Sequence, residues 1–261
     1  MSWTSWIATF GALSWLPHII SWVNKALTKP KLQFVSQDIA EVGYTGFGPI
    51  FNQEFAISAS KKDALIEKIE VTIVHESGEK HNFLWKFLDE RGPEITSIPG
   101  GTAEFRKHQP AIALRVSVVG LIEKKIGFND IDYQMKLISL NELSNEQMVY
   151  LEKSEGEQYK EKAIKTKEFM DLLKFIEKGF YWKEGKYDVY LNVYETSLKN
   201  PHVEYYQFEL TKRHVELLEK NIKATQEWIT DLIRYRGIEL KEIPKYTWNW
   251  AYPSVRRTRK D

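Results

Sequence analysis

The sequence predicts an α+β protein: an antiparallel β-sandwich with a helical insertion, a C-terminal helix and an N-terminal hydrophobic helix. Three observations carry this reading. Several stretches between Lys31 and Leu210 alternate apolar and polar residues with period two, as half-buried strands do. Between about 144 and 179 the alternation gives way to apolar residues at helical spacing within a run rich in Glu and Lys. The first 24 residues carry no charged side chain. The boundaries that follow are 1–29 for the hydrophobic helix, 30–210 for the sandwich with its insertion, and 211–261 for the C-terminal helix and an aromatic and basic tail.

Apolar residues predominate from Trp3 to Val23, a length that suits a membrane span. Trp3 and Trp6 stand near one end and Trp22 near the other. On a helix Trp3 and Trp22 lie about 28 Å apart, and tryptophan favours both membrane interfaces. Ser2, Ser5 and Thr9 fall on one side, with Ser14, His18 and Ser21 opposite, which argues against a helix lying flat on a surface. Lys25, Lys29 and Lys31 follow. The positive-inside rule then gives a single-pass anchor with the N-terminus out and the bulk of the chain in the cytoplasm. Peripheral association with the membrane, and docking of the same helix onto the domain or a partner protein, are the alternatives.

Lys31–Ser36 and Phe51–Ala59 read as strands, separated by Gly43, Gly46 and Gly48, which read as turns. A hairpin follows. Ile69, Val71, Ile73 and His75 share one face of its first strand, and His81, Phe83, Trp85 and Phe87 share one face of its second. Ser77-Gly78 supplies the turn. Burial favours the register that pairs Ile73 with Phe83, Val71 with Trp85 and His75 with His81. Further strands are expected at Ala111–Val119, with Ile112, Leu114, Val116 and Val118 inward, and at Asp130–Ile138. Phe169, Leu172, Leu173 and Ile176 mark a helix edge that Gly179 stops. Gly185–Val193 and Val203–Leu210 are strands. Thr211 then caps a helix running to about Gly237, with Val215, Leu218, Ile222, Ile229 and Leu232 as its stripe.

The segment Gly185-Lys186-Tyr187-Asp188-Val189 resembles the start of strand F in immunoglobulin-like sandwiches, and Trp85 is similar to their core tryptophan. The resemblance implies an Ig-like sandwich with a tyrosine corner at Tyr187 and the helices inserted before strand F. The absence of cysteine excludes the antibody type. The layout also resembles uncharacterised small bacterial proteins with an N-terminal anchor and a β-rich cytosolic domain, a likeness that implies no activity.

Composition narrows the chemistry. With 37 basic and 36 acidic residues, no net field draws nucleic acid. Zero cysteines excludes disulfides, thiolate ligands and a cysteine nucleophile. The expected pairing of His75 with His81 offers half of a metal site, whereas zinc takes three or four ligands; a structural pair is the plainer reading. No nucleophile elbow, zincin or phosphate-loop motif is present. The Gly43–Gly48 run lacks the strand-to-helix context of a dinucleotide loop. No catalytic residue and no cofactor is therefore assigned, and the small-molecule substrate stays open. In the tail, Trp248, Trp250 and Tyr252 followed by Arg256, Arg257, Arg259 and Lys260 suit a second membrane contact; as a plainer reading, the rings cap the domain. Together these point to a non-enzymatic, membrane-tethered cytosolic binding or adaptor module with a protein partner. The alternatives are a subunit of a larger complex docking through the N-terminal helix and an enzyme of unrecognised type.

Overall fold

The computed structural model describes Trp15 and residues 17–23, 28–98, 101–237 and 244–258, the side chains of 91–98, 101–106 and Glu157 apart. One antiparallel sheet dominates it. In chain order the strands are β1 (Lys31–Thr45), β2 (Gly48–Ser60), β3 (Ala64–His75), β4 (Lys80–Ile98), β5 (Gly101–Pro110), β6 (Leu114–Val116), β7 (Leu121–Asp130), β8 (Gly185–Glu195), β9 (His202–Leu210), β10 (Trp250–Ala251) and β11 (Val255–Thr258). Helices α1 (Ile131–Glu155), α2 (Tyr159–Ala163) and α3 (Lys167–Lys178) lie between β7 and β8, and α4 (Lys212–Arg234) follows β9.

Neighbouring strands run β1, β2, β7, β4, β3, β8, β9 without a break. The sheet curls into a half-barrel and wraps its own apolar face, so the expected Ig-like sandwich of two facing sheets is not formed. The strands are long, 15 residues in β1 and 19 in β4. They are also bulged between Ser36 and Ala40, Ile66 and Lys68, and Trp85 and Phe87. Bulges bend a strand and increase its twist, which lets one sheet close on itself. Inside, Tyr187 stacks on Phe208 at 4.9 Å, Phe208 on Phe51 at 5.8 Å, and Phe34 meets Phe55 edge-on.

The C-terminal segment draws the two sheet edges together. Trp250 and Ala251 pair with Gly43 and Val42 of β1, Ala40 N–H donates to Pro253 O at 3.1 Å, and β11 then pairs with β9 from Phe208 to Tyr205. Arg257 joins the same edges, pairing with buried Glu204 of β9 and donating to Phe34 O of β1 at 3.4 Å.

The β3–β4 hairpin pairs Val71 with Phe83 and Ile73 with His81, two residues away from the expected register. The turn decides this. Gly78, at φ +90°, is the left-handed residue of a three-residue loop closed by His75 N–H to Glu79 O at 2.9 Å. A shift of two leaves each side chain on its face, so burial alone does not separate the two registers. The bulge after Trp85 matters more. Phe83, Trp85 and Leu88 are buried, and Phe87 is turned out over Gly127 instead of sharing their face.

The expected strand at Asp130–Ile138 is the start of α1. Ile131, Tyr133, Met135 and Leu137 alternate as a strand does, but Asp130 ends β7 and accepts from Tyr133 N–H at 2.9 Å as the N-cap. Met135 and Ile138 are exposed in consequence. The strand expected at 111–119 contracts to β6: Leu114 and Val116 are buried, whereas Ile112 and Val118 face out. Gly179 ends α3, and Thr211 caps α4 with His214 completing a capping box. The buried face of α4 holds Asn221, Thr225 and Asp231 beside Leu218, Ile229 and Ile233, while Leu232 is exposed.

The membrane anchor is also corrected. No helix among the described residues is long and apolar enough to cross a membrane. Thr4, Ser5, Thr9, Ser14, Pro17, His18 and Ser21 dilute the uncharged run that suggested a span. The single-pass topology and the localisation drawn from it are withdrawn. Trp3, Trp6 and Lys25 lie outside the described residues; Trp22 is exposed, and Lys31 opens β1 three residues after Thr28. Lys29 stands two residues before it, exposed.

Candidate functional site

The two histidine candidates do not meet. His75 donates from Nε2 to Glu184 O at 3.1 Å and accepts at Nδ1 from Ser77, an arrangement that ties the turn to β8. His81 lies flat on Tyr181 at 3.4 Å with its nitrogens 3.4 Å from Asp130 Oδ2 and 3.3 Å from Glu79 Oε1. No group of three or more His, Asp or Glu poised to hold a metal occurs among the described residues. The cluster around Asp130 is a structural joint. Tyr181 donates to Oδ2 at 2.8 Å and Tyr133 N–H to Oδ1, so one carboxylate fixes the helix start, the loop before β8 and the hairpin. Burial raises the Asp130 pKa, and the bonds from His81, Tyr133 N–H and Tyr181 outweigh it, leaving the carboxyl below its ordinary value.

A carboxyl lowered in the folded state contributes stability above its unfolded pKa of about 3.9 and loses it as pH falls through the folded value. Asp130→Asn keeps an acceptor for the cap and removes the charge. Urea denaturation between pH 7 and pH 3 is therefore expected to show the stability gap between parent and variant shrinking below about pH 4. A gap of constant size across that range contradicts the assignment.

The tail rests on the fold. Trp248 Nε1 donates to Thr225 Oγ1 at 3.2 Å, Asn249 exchanges bonds with Asn221, and Tyr246 donates to Asp231, which accounts for the polar residues buried on α4. Arg257 pairs with Glu204 and Arg256 is exposed. Arg259 and Lys260 lie outside the described residues.

Where tail, α4 and sheet meet, three glycines carry three aromatic rings. A Cβ on Gly43 would lie 2.4 Å from the Trp250 ring, one on Gly46 2.1 Å from Trp228, and one on Gly127 2.0 Å from Phe87. Each ring thus lies directly on backbone that any larger residue would cover. The glycines of β1 and β7 sit in adjoining cross-strand rows: Gly43 opposes Trp250, and Glu41, Asn52, Gly127 and Phe87 follow one another across β1, β2, β7 and β4. Gly43 is held from its other side by Trp182, whose Nε1 donates to Gly43 O at 3.0 Å.

These rings, with Trp248, Tyr252 and Phe47, wall a cleft of about 520 Å³, within the size range of small-molecule sites. Trp228 and Trp248 stand nearly perpendicular, 79° apart at 5.9 Å. Phe47 and Tyr252 form open rims, 58% and 57% exposed. The polar floor is Glu41, Asn52 and Lys125. Glu41 ion-pairs with Lys125 and accepts from Asn52 Nδ2 at 3.2 Å. Asn52 is only 3% exposed and its Oδ1 has no partner, which costs about 1–3 kcal/mol. Burial, and then the Glu41 charge, holds the Tyr252 phenol above its ordinary pKa.

Of this cleft the sequence reading isolated Trp248, Trp250 and Tyr252, assigned to a membrane, and Gly43 and Gly46, assigned to turns. Glu41, Asn52, Phe87, Lys125 and Trp228 were missed. The available signal was Gly43 and Gly127 inside strand-like stretches, because an interior glycine marks close approach of another group. A second hollow, about 750 Å³, shares Gly46, Phe47 and Trp228 and runs between α1 and α4 over Leu137, Met148 and Ile233.

No protein-family model matches the chain, and no curated protein is significantly similar to it. Among solved structures, a family 123 glycoside hydrolase from Clostridium perfringens, studied for glycolipid glycan hydrolysis, aligns with 70% of this chain at 10% identity and a TM-score of 0.32. The chain spans 28% of that protein's length. A likeness of that degree carries no argument about fold or activity.

Proposed function

We propose that this chain is a non-enzymatic binding module that takes a small ring-shaped ligand in the cleft between α4, the C-terminal segment and the outer face of β1, β2 and β7. The observation that carries the reading is the seating of Trp250, Trp228 and Phe87 on three glycines around an open hollow whose polar floor is Glu41, Asn52 and Lys125. Aromatic rings usually bury their faces against side chains; here they are set on bare backbone and line an open hollow with a polar floor. Binding is favoured over catalysis because the floor's charged groups are engaged with each other, Glu41 with Lys125 and Asn52. A general acid or base needs a carboxyl or amine free to exchange a proton with substrate.

A thermal-shift screen with a library of ring compounds tests this. A ligand at a hundredfold excess over its Kd stabilises by about 2.7 kcal/mol, a rise of about 5 °C or more for a domain of this size. Hits are expected to shift the parent and to lose that shift in Trp228→Ala. Hits that shift both chains equally, or a library without hits, contradict the reading.

A further inference from the structure

We infer that the ligand of this cleft is a neutral saccharide, bound through the C–H face of a sugar ring on tryptophan and through hydroxyls on the floor. The inference rests on the cleft being a binding site and names the class of ligand it takes. Three features select the class.

The first is ring geometry. Trp228 and Trp248 are nearly perpendicular, so they do not form the pair of parallel faces that would sandwich a flat base. Both rings line the cleft, and a pyranose ring carries C–H groups on its face and hydroxyls around its edge. The second is charge. Glu41 and Lys125 form an ion pair on the floor, so an anionic ligand meets the carboxylate and a cationic one the ammonium. A neutral ligand meets neither penalty. The third is hydrogen-bond sense. The floor contains an ammonium that only donates and a carboxylate that only accepts, paired with each other and each with hydrogen-bonding capacity left over. A hydroxyl donates and accepts at once, so neighbouring hydroxyls can add to both members of the pair.

The same floor predicts retention of the sugar without cleavage. Glycoside hydrolysis ordinarily uses two carboxyl groups flanking the bond, and Glu41 is the one carboxylate among the described residues lining the cleft. The open rims at Phe47 and Tyr252 leave room for a chain to continue beyond the bound ring.

Saturation-transfer NMR on the full 261-residue chain provides the test, with three probe pools. They are methyl glycosides of glucose, galactose, mannose and N-acetylglucosamine with their disaccharides; adenosine and cytidine; and choline. Saturation is expected to reach the ring C–H protons of at least one glycoside. Gly43→Ala, whose new methyl displaces Trp250, is expected to weaken that binding at least tenfold, with the circular dichroism spectrum unchanged. Trp248→Ala is the second variant, should Gly43→Ala not fold. Transfer to nucleosides or choline in place of glycosides overturns the saccharide assignment and leaves the cleft a binding site. Transfer to no probe overturns the saccharide assignment, and a ring-compound hit in the thermal-shift screen then decides whether the cleft still binds. Glycoside binding unchanged in both variants places the sugar elsewhere and overturns the inference.

Discussion

Replacing Trp182 with alanine is expected to remove about 3–5 kcal/mol of folding stability through the lost side chain and its cavity. The indole is 2% exposed, stacks on Phe83 at 6.1 Å and meets Tyr187 edge-on at 5.7 Å. Its Nε1–H also satisfies Gly43 O, so the substitution strands a buried acceptor as well. Domains have about 5–15 kcal/mol in total, so the loss is a large share of the whole. Guanidinium denaturation measures it, and a cost below about 1 kcal/mol contradicts the placement. Because Trp182 holds the backbone on which Trp250 lies, ligand affinity is expected to fall with stability.

Deleting residues 250–261 is expected to have the largest effect of any change considered. It removes β10 and β11, leaves the edges of β1 and β9 unpaired, uncovers the core beside Ala251 and Val255, and takes Arg257 from buried Glu204. Glu204 then keeps His202, 2.8 Å away. The truncated chain is expected to lose its cooperative thermal transition and to expose sheet edges prone to pairing between chains. Arg257→Met, which keeps both strands, isolates the ion pair and is expected to cost about 1–3 kcal/mol, the penalty for a buried polar group short of a partner. A truncated chain that melts cooperatively within a few degrees of the parent contradicts the role of this segment in closing the sheet.

The elements with strong local signals were legible. Thr211 and Gly179 bound their helices, Phe169, Leu172 and Ile176 form the buried edge of α3, and Tyr187, Val189, Leu191 and Val193 face the core together. The failures share a cause in features that pattern does not encode. The bulge after Trp85 inverts the alternation and sends Phe87 outward, and one capping carboxylate at Asp130 turns an apparent strand into a helix. The sandwich failed because continuity of a sheet depends on pairing between distant strands, such as β2 with β7 and β3 with β8. The cleft was hidden for the same reason. Its floor joins β1, β2 and β7 and its walls come from a turn, a helix and the C-terminus, so no segment of the sequence holds more than a fragment of it. Tryptophans in an aromatic and basic tail suggested a membrane interface; in the fold they lie on glycines of the sheet and on α4.

The most direct test of the cleft follows the tryptophans themselves. The chain has nine, and each indole N–H gives its own signal in a nitrogen–proton correlation spectrum of the isotope-labelled protein. Titration with the glycoside pool is expected to move the signals of Trp228, Trp248 and Trp250 in step, while those of buried Trp85 and Trp182 stay in place. Shifts centred on other tryptophans, or none at saturating glycoside, would contradict a sugar-binding site in the cleft.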